Sequence, residues 1–194
     1  MDQFIANWHA ALAALSVLIT LAAVFPYALM ALRGKARPDF VTWFLWSLTS
    51  GIGALAQYAA GASWSLAVVV ANAVATALIT LLSLRFGIKK YSTLDTLCMM
   101  LAIAAILSWA LTDDPLVALV LVIAADFLAA VPTIGKSYAR PASENALTFF
   151  ALALAAALGI AANTSFDFGN VAYPAYFVGL YVAIGLLVTR RRQR

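Results

Sequence analysis

Apolar residues dominate this chain so heavily that the informative positions are the interruptions. Nearly continuous apolar runs occupy residues 8–32, 40–60, 63–85, 94–112, 115–136, 145–163 and 170–189, each bounded by charge, Pro, Gly or Asn. About 20 helical residues cross a hydrocarbon core of about 30 Å, so each run predicts a membrane-spanning helix. The few polar residues inside the runs recur at helical spacing. Thr42, Trp46, Ser50, Gly53 and Gln57 are separated by 4, 4, 3 and 4 positions; Ser65, Asn72, Thr76 and Ser83 by 7, 4 and 7; Ser16, Thr20 and Tyr27 by 4 and 7. Such spacing stacks side chains on one face of a helix. Polar groups are costly in hydrocarbon and turn towards a bundle interior or a wet cavity, so three polar stripes predict an internal pathway.

Composition narrows the class further. The chain has 194 residues, is 65% hydrophobic and 10% charged, and has a mean hydropathy of +0.97, outside the range of a soluble domain. Asp2 stands where a cleaved signal peptide would carry basic residues, and the first run is too long for its apolar segment, so this run is expected to remain as a helix. Arg33, Lys35 and Arg37 follow the first run, Arg85, Lys89 and Lys90 the third, and Lys136 and Arg140 the fifth. Arg190, Arg191, Arg192 and Arg194 close the sequence. The alternate connections, residues 60–63, 113–115 and 163–170, hold no Lys or Arg. The positive-inside rule then predicts the N-terminus outside and the C-terminus in the cytoplasm. The net charge of +4 reports this topology and contact with anionic lipid, and gives nucleic-acid binding no support. The Ala-rich composition suggests a bacterial cytoplasmic (inner) membrane.

Two windows resemble each other. Pro26 lies sixteen positions before Thr42, Pro132 sixteen before Thr148, and aromatic pairs follow each Thr: Trp43 and Phe44, then Phe149 and Phe150. Each window contains Ala-Arg-Pro, at residues 36–38 and 139–141, although offset by three positions. Similarity of runs one and two to five and six suggests a 3 + 1 + 3 plan. The expected fold is thus an all-α membrane protein of seven spans in a parallel repeat: a three-helix bundle over residues 1–92, a linker helix over 93–113, and a second bundle with a basic tail over 114–194. Any helical hairpin obeying the positive-inside rule would also be basic and proline-bounded.

Asp126 is the most informative single residue. It lies ten positions before Lys136, about 15 Å along a helix, which puts it near the bilayer midplane on a face shared with Ala129 and Thr133. A carboxylate at that depth is a natural proton or cation site; a hydrogen-bonded carboxyl locking helices together is the structural alternative. Asn72 and Gln57 carry amides that their own helix cannot satisfy, so they contact either a ligand or a neighbouring helix. Trp46, Ser50 and Thr76 lie on the same stripes, but Ser and Thr also bond their own helix carbonyls. Tyr173 and Tyr176 fit a pocket or an interfacial aromatic belt. Asp39 and Glu144 are placed to cap runs two and six against the helix dipole, and Asp113 with Asp114 marks an outer turn.

Prolines at 26, 38, 132 and 141 ring the cytoplasmic side, where they either hinge or end helices. With the 3 + 1 + 3 plan and outside N-terminus, they resemble the SWEET and PQ-loop transporter superfamily, whose architecture is also similar to that of bacterial nicotinamide riboside transporters. The resemblance implies alternating access between two bundles, with Pro26, Pro38, Pro132 and Pro141 as hinges and Asn72 in the pocket. Departures are the absent Pro-Gln pair (Pro38 precedes Asp39, Pro132 precedes Thr133, Pro141 precedes Ala142), Pro174 followed by Ala175 rather than Asn, and Trp43 and Trp46 nearer the cytoplasmic end than the family's pocket tryptophan. They weaken sugar as the substrate.

Other chemistries lack residues. All four lysines fall in cytoplasmic bends, which removes a retinal-type site; His9 is the sole histidine and Cys98 the sole cysteine, which removes metal and haem centres and intrachain disulfides. No nucleophile–base pair presents itself, so no enzyme and no cofactor are expected. The predicted function is transport of a small polar solute, a vitamin or nucleoside, amino acid or sugar, with Asn72, Asp126, Gln57, Trp46, Ser50, Thr76, Tyr173 and Tyr176 lining the path. Its partners are membrane lipid, the substrate and, if it oligomerises, further copies of itself. A non-transporting receptor or assembly protein on the same scaffold is the alternative, as relatives of the KDEL receptor show for this architecture.

Overall fold

The computed structural model describes residues 2–34, 38, 40–87, 92–139, 141 and 145–190, the side chains of residues 2–7, 98, 102, 105, 106, 109, 110, 132 and 136 excepted. Lys35, Arg37, Asp39, Lys89, Lys90, Arg140, Glu144 and the tail arginines Arg191, Arg192 and Arg194 therefore lie outside the described residues, as do the side chains of Cys98, Pro132 and Lys136. The described chain is all-helical: α1 (Asp2–Leu32), α2 (Phe40–Ala59), α3 (Leu66–Phe86), α4 (Thr93–Thr112), α5 (Pro115–Ala139), α6 (Ala146–Ala161) and α7 (Phe168–Arg190). Residues 8–32 of α1, together with α3, α5 and α7, are long and apolar enough to cross a membrane. Large apolar side chains such as Leu18, Leu81, Leu111, Leu147 and Leu154 stay exposed on the outer faces, as expected where the solvent is hydrocarbon.

Local chemistry sets the helix starts. Ser92 and Asp95 form a reciprocal capping box ahead of α4: the Ser92 amide donates to Asp95 Oδ2 at 2.7 Å and the Asp95 amide to Ser92 Oγ at 3.2 Å. Asp114 accepts from the Leu116 amide at 2.8 Å to start α5, after Asp113 turns the chain with φ of 52°. The cap of α6 is Asn145, whose side chain accepts from the Leu147 amide at 3.1 Å, one residue beyond the expected Glu144. Pro141 precedes α6 by five residues rather than opening it, whereas Pro38 stands two residues before α2. Pro26 lies inside α1 with its ring exposed, six residues before the helix ends. The α5 backbone continues through Pro132 to Ala139, three residues past the expected end.

Helices adjacent in sequence are not always adjacent in space. Among the described residues α3 lies between α1 and α2, and α7 lies between α5 and α6. The two trios meet where α1 packs on α6 and α2 on α5, while α4 rests against α5 and α2. Exchanging α1 with α5, α2 with α6 and α3 with α7 turns each pairing among these six helices into another that is present or, for α3 with α7, into itself. The largest core, built on Val69, Leu119, Val122, Tyr173 and Phe177, fills the space where α2, α3, α5 and α7 converge.

Close approach between α2 and α7 depends on Gly53, because a Cβ there would overlap the Tyr173 ring. Similarly, a Cβ on Gly87 would meet the Pro38 carbonyl at 2.6 Å, so the end of α3 lies directly on the α1–α2 connection. Gly53→Ala is expected to cost about 1–3 kcal/mol through overpacking. Gly51→Ala, with open space around its Cβ, is expected to be neutral or to stabilise by up to about 1 kcal/mol. Melting temperatures of the two variants in detergent check both; equal behaviour would refute the tight α2–α7 contact.

Candidate functional site

Asp126 occupies the middle of α5 and is 2% exposed. Its Oδ1 is 2.5 Å from Thr49 Oγ1 of α2, and its Oδ2 accepts from the Tyr176 hydroxyl of α7 at 2.7 Å. Among the described residues, none of its partners is positively charged. Water solvates an ordinary carboxylate with several donors at once. Here two hydroxyls replace it, and removing a charge from water costs several kcal/mol even after relaxation.

Thr49 gives the site two consistent proton arrangements. Its hydroxyl also lies 2.9 Å from the Leu45 carbonyl, and a hydroxyl has one proton to donate. With Asp126 ionised, Thr49 donates to the carboxylate. With Asp126 protonated, the carboxyl O–H donates to Thr49, which turns its own proton to Leu45. Either arrangement satisfies both groups, so the cluster tolerates a change of charge without rebuilding.

Asn72 forms the second half of the cluster. Its Nδ2 donates to Ser50 Oγ at 2.9 Å, and its Oδ1 accepts from the Tyr181 hydroxyl at 3.2 Å. The Asn72 bonds tie α3 to α2 and to α7, as the Asp126 bonds tie α5 to α2 and α7. Tyr173, 0% exposed, turns its hydroxyl to the same place, beside Asp126, Thr49 and Ser50, yet reaches hydrogen-bond geometry with none of them. Four rings of α7 follow one another along this face: Tyr173 and Tyr176 lie 6.0 Å apart and nearly parallel, Tyr173 and Phe177 4.6 Å, Phe177 and Tyr181 5.5 Å.

Of the residues expected to line a path, Asn72, Asp126, Ser50, Tyr173 and Tyr176 converge here. Trp46 packs against two apolar clusters, one that includes Ala130 and one that includes Ala129, and stands edge-on to Trp43 at 5.4 Å with its buried Nε1 unpartnered. Thr76 is outside the cluster: its hydroxyl donates back to its own helix, 2.8 Å from the Asn72 carbonyl. Thr49 and Tyr181 were missed. Thr49 has the back-bonding habit of its residue type, and only the 173, 176, 177, 181 spacing of aromatics, one face of a helix, could have signalled Tyr181.

Gln57 belongs to a different network, at the end of the bundle that holds residues 60–65 and 162–170. Its Nε2 donates to the Gly169 carbonyl at 2.7 Å, while its Oε1 is buried without a partner. The Ser63 amide donates to Asn170 Oδ1 and the Ser65 amide to Asn163 Oδ1, each at 2.8 Å. Pro174 explains part of this arrangement. It lacks the N–H that would bond the Asn170 carbonyl four residues back, and that carbonyl instead accepts from Asn163 Nδ2 at 3.3 Å and Gln57 Nε2 at 3.5 Å. His9 Nδ1 meets the Ala162 carbonyl at 2.6 Å, fixing the start of α1 to the end of α6. This end of the bundle is therefore tied together by amides from both trios.

Asp167 anchors the loop from outside. Donors from Ser165 and Asn170 hold its carboxyl at about 2, below the usual 3.8. A depressed value means that the ionised group favours the ordered loop, fully above about pH 4, and that this contribution is lost as pH falls towards 2. Comparison with protein-family models, with curated proteins and with solved structures finds no match.

Amide exchange over residues 163–171 is expected to speed up on acidification from pH 5 to 2.5, after correction for intrinsic rates, and Asp167→Asn is expected to remove that acceleration. Within the central cluster, Thr49→Val is expected to cost about 1–3 kcal/mol by leaving Asp126 a donor short, and Thr76→Val less than about 0.5 kcal/mol. Melting temperatures compare them; equal losses would mean that the Thr49 contact contributes nothing.

Proposed function

We propose that the chain is a transporter of a small polar solute, with seven membrane spans arranged as two three-helix bundles around the Asp126 cluster. The observation that carries this reading is the hydrogen bond between Thr49 and Asp126: a buried carboxyl, uncompensated by charge among the described residues, satisfied across the boundary between α2 and α5. A purely structural lock would be served better by neutral groups, since burying a carboxylate costs more than its partners return. Asp126 is the group that takes up a proton or cation during the cycle, and Asn72 is a substrate contact.

The exchange pattern of helix contacts supports a 3 + 1 + 3 repeat with α4 as the linker. The described arginines Arg33, Arg85 and Arg190 stand at the C-terminal ends of α1, α3 and α7, which favours the orientation with those ends in the cytoplasm and the amide-closed end outside. The resemblance to SWEET and PQ-loop transporters points the same way and assigns hinging to Pro26, Pro38, Pro132 and Pro141. A bacterial cytoplasmic membrane is the setting this reading implies. Tyr173, with its unpartnered hydroxyl, completes the substrate site in a conformation that opens the cluster.

Reconstitution in liposomes with a panel of nucleosides, vitamins, amino acids and sugars tests the reading. At least one solute is expected to give protein-dependent flux; Asp126→Asn and Asn72→Ala are expected to lower it by about tenfold or more, equivalent to about 1.4 kcal/mol, and Thr76→Val to leave it unchanged. A Pro26→Ala, Pro132→Ala double variant with unaltered flux would remove the hinge assignment. Binding without flux for every solute would make the protein a receptor or assembly protein instead.

A further inference from the structure

The transporter reading leaves the solute's chemistry open, and the surroundings of Asp126 narrow it. The cluster holds one anionic group and, among the described residues, no cation in contact with it. An occupant that pairs with the ionised carboxyl must therefore bring a positive charge. Around that carboxyl stand aromatic rings rather than additional acids. Tyr176 bonds Asp126 directly, Tyr173 lies beside it with a free hydroxyl and is wholly buried, and Phe177 and Tyr181 continue the row along α7.

An inorganic cation would need a shell of oxygen ligands released from other duties. The described residues contain no group of three or more Asp, Glu, His or Cys side chains that could hold a metal ion. The carbonyls of α2, α5 and α7 around the cluster are in continuous helix, already paired along the backbone. Aromatic faces do the opposite service: they attract weakly hydrated organic cations and offer little to small, strongly hydrated ions. Tyr173 and Tyr176, nearly parallel at 6.0 Å, bring two such rings to one carboxylate. Ser50 and Asn72 hydrogen-bond each other, with Ser50 beside the Tyr173 hydroxyl, and provide groups for a hydroxyl or amide elsewhere on the same solute.

We infer that the Asp126 cluster takes a small organic cation, an alkylammonium or quaternary ammonium compound bearing a hydrogen-bonding group, with Asp126 as its counter-charge and the Tyr173 and Tyr176 rings as its walls. This rests on the reading of the cluster as a ligand site but not on transport, so binding alone tests it.

The experiment is a thermal-shift titration of the purified full chain in detergent with choline, tetraethylammonium and phenethylammonium chlorides. The controls are 3,3-dimethyl-1-butanol, the uncharged isostere of choline, and sodium chloride at matched ionic strength. At least one of the three cations is expected to raise the melting temperature by several degrees in a saturable manner, and the isostere and sodium chloride to leave it unmoved. Asp126→Asn, which preserves the shape of the carboxyl, is expected to abolish the shift. The wild-type comparison decides the matter even where that variant does not fold. No shift with any of the three cations, an equal shift with the isostere, or a shift with sodium chloride alone would each overturn the inference. Saturable cation binding without flux in liposomes would leave it standing and count against transport alone.

Discussion

A carboxyl group in the middle of an apolar bundle must find its solvation in the protein, and Asp126 finds it in the Thr49 and Tyr176 hydroxyls, on α2 and α7. Much else in the structure serves that requirement. Gly53 lets α7 approach α2 closely enough to bring Tyr173 beside the carboxyl, and small residues Ala125, Ala129 and Ala130 flank it on α5. Asn72 and Ser50 complete a polar centre in which all but one of the described side chains have a partner. Polar contacts of this kind are high-stakes at low dielectric: satisfied, they specify one packing, and unsatisfied, they destabilise it.

Two such polar layers are stacked along the bundle. The central one joins α2, α3, α5 and α7; the terminal one joins the α2–α3 and α6–α7 connections through Asn163, Asn170 and Gln57. Pro174 links them physically, because it stands one residue from Tyr173 and also frees the Asn170 carbonyl for the terminal layer. A change in α7 at that proline would move the row of aromatic rings and the closing amides together. Fold and site are thus coupled through one helix.

The all-helical, membrane-spanning character was legible in the sequence, and four of the described helices are long and apolar enough to cross a membrane. The seven apolar runs match the seven helices among the described residues to within three positions at each end, except that α1 starts six residues before its run, because run length and helical spacing are local properties. Asp126 and Asn72 were legible for the same reason: burying them is costly, so their presence in apolar runs already implied partners. The partners themselves were not legible. Thr49 lies off the polar stripe of Thr42, Trp46, Ser50 and Gln57, and Tyr181 is one aromatic among many in an apolar run; only the packing of α2 against α5 and of α7 against α3 brings them to the carboxyl and the amide. Gln57, on the same stripe as Ser50, was drawn to the terminal layer by the carbonyls around Pro174, a consequence of backbone chemistry one helix away. The cap of α6 fell to Asn145, whose short side chain reaches the Leu147 amide.

The central claim is that the two trios of helices move relative to each other and open the end now closed by Asn163 and Asn170. The most direct measurement is the distance between spin labels at Ala62→Cys and Thr164→Cys, on a Cys98→Ser background in lipid nanodiscs, with and without Asn163→Ala. The account predicts a short and a longer distance in equilibrium, with Asn163→Ala enriching the longer one. A single narrow distance, unchanged by that substitution, would contradict it and describe a static bundle.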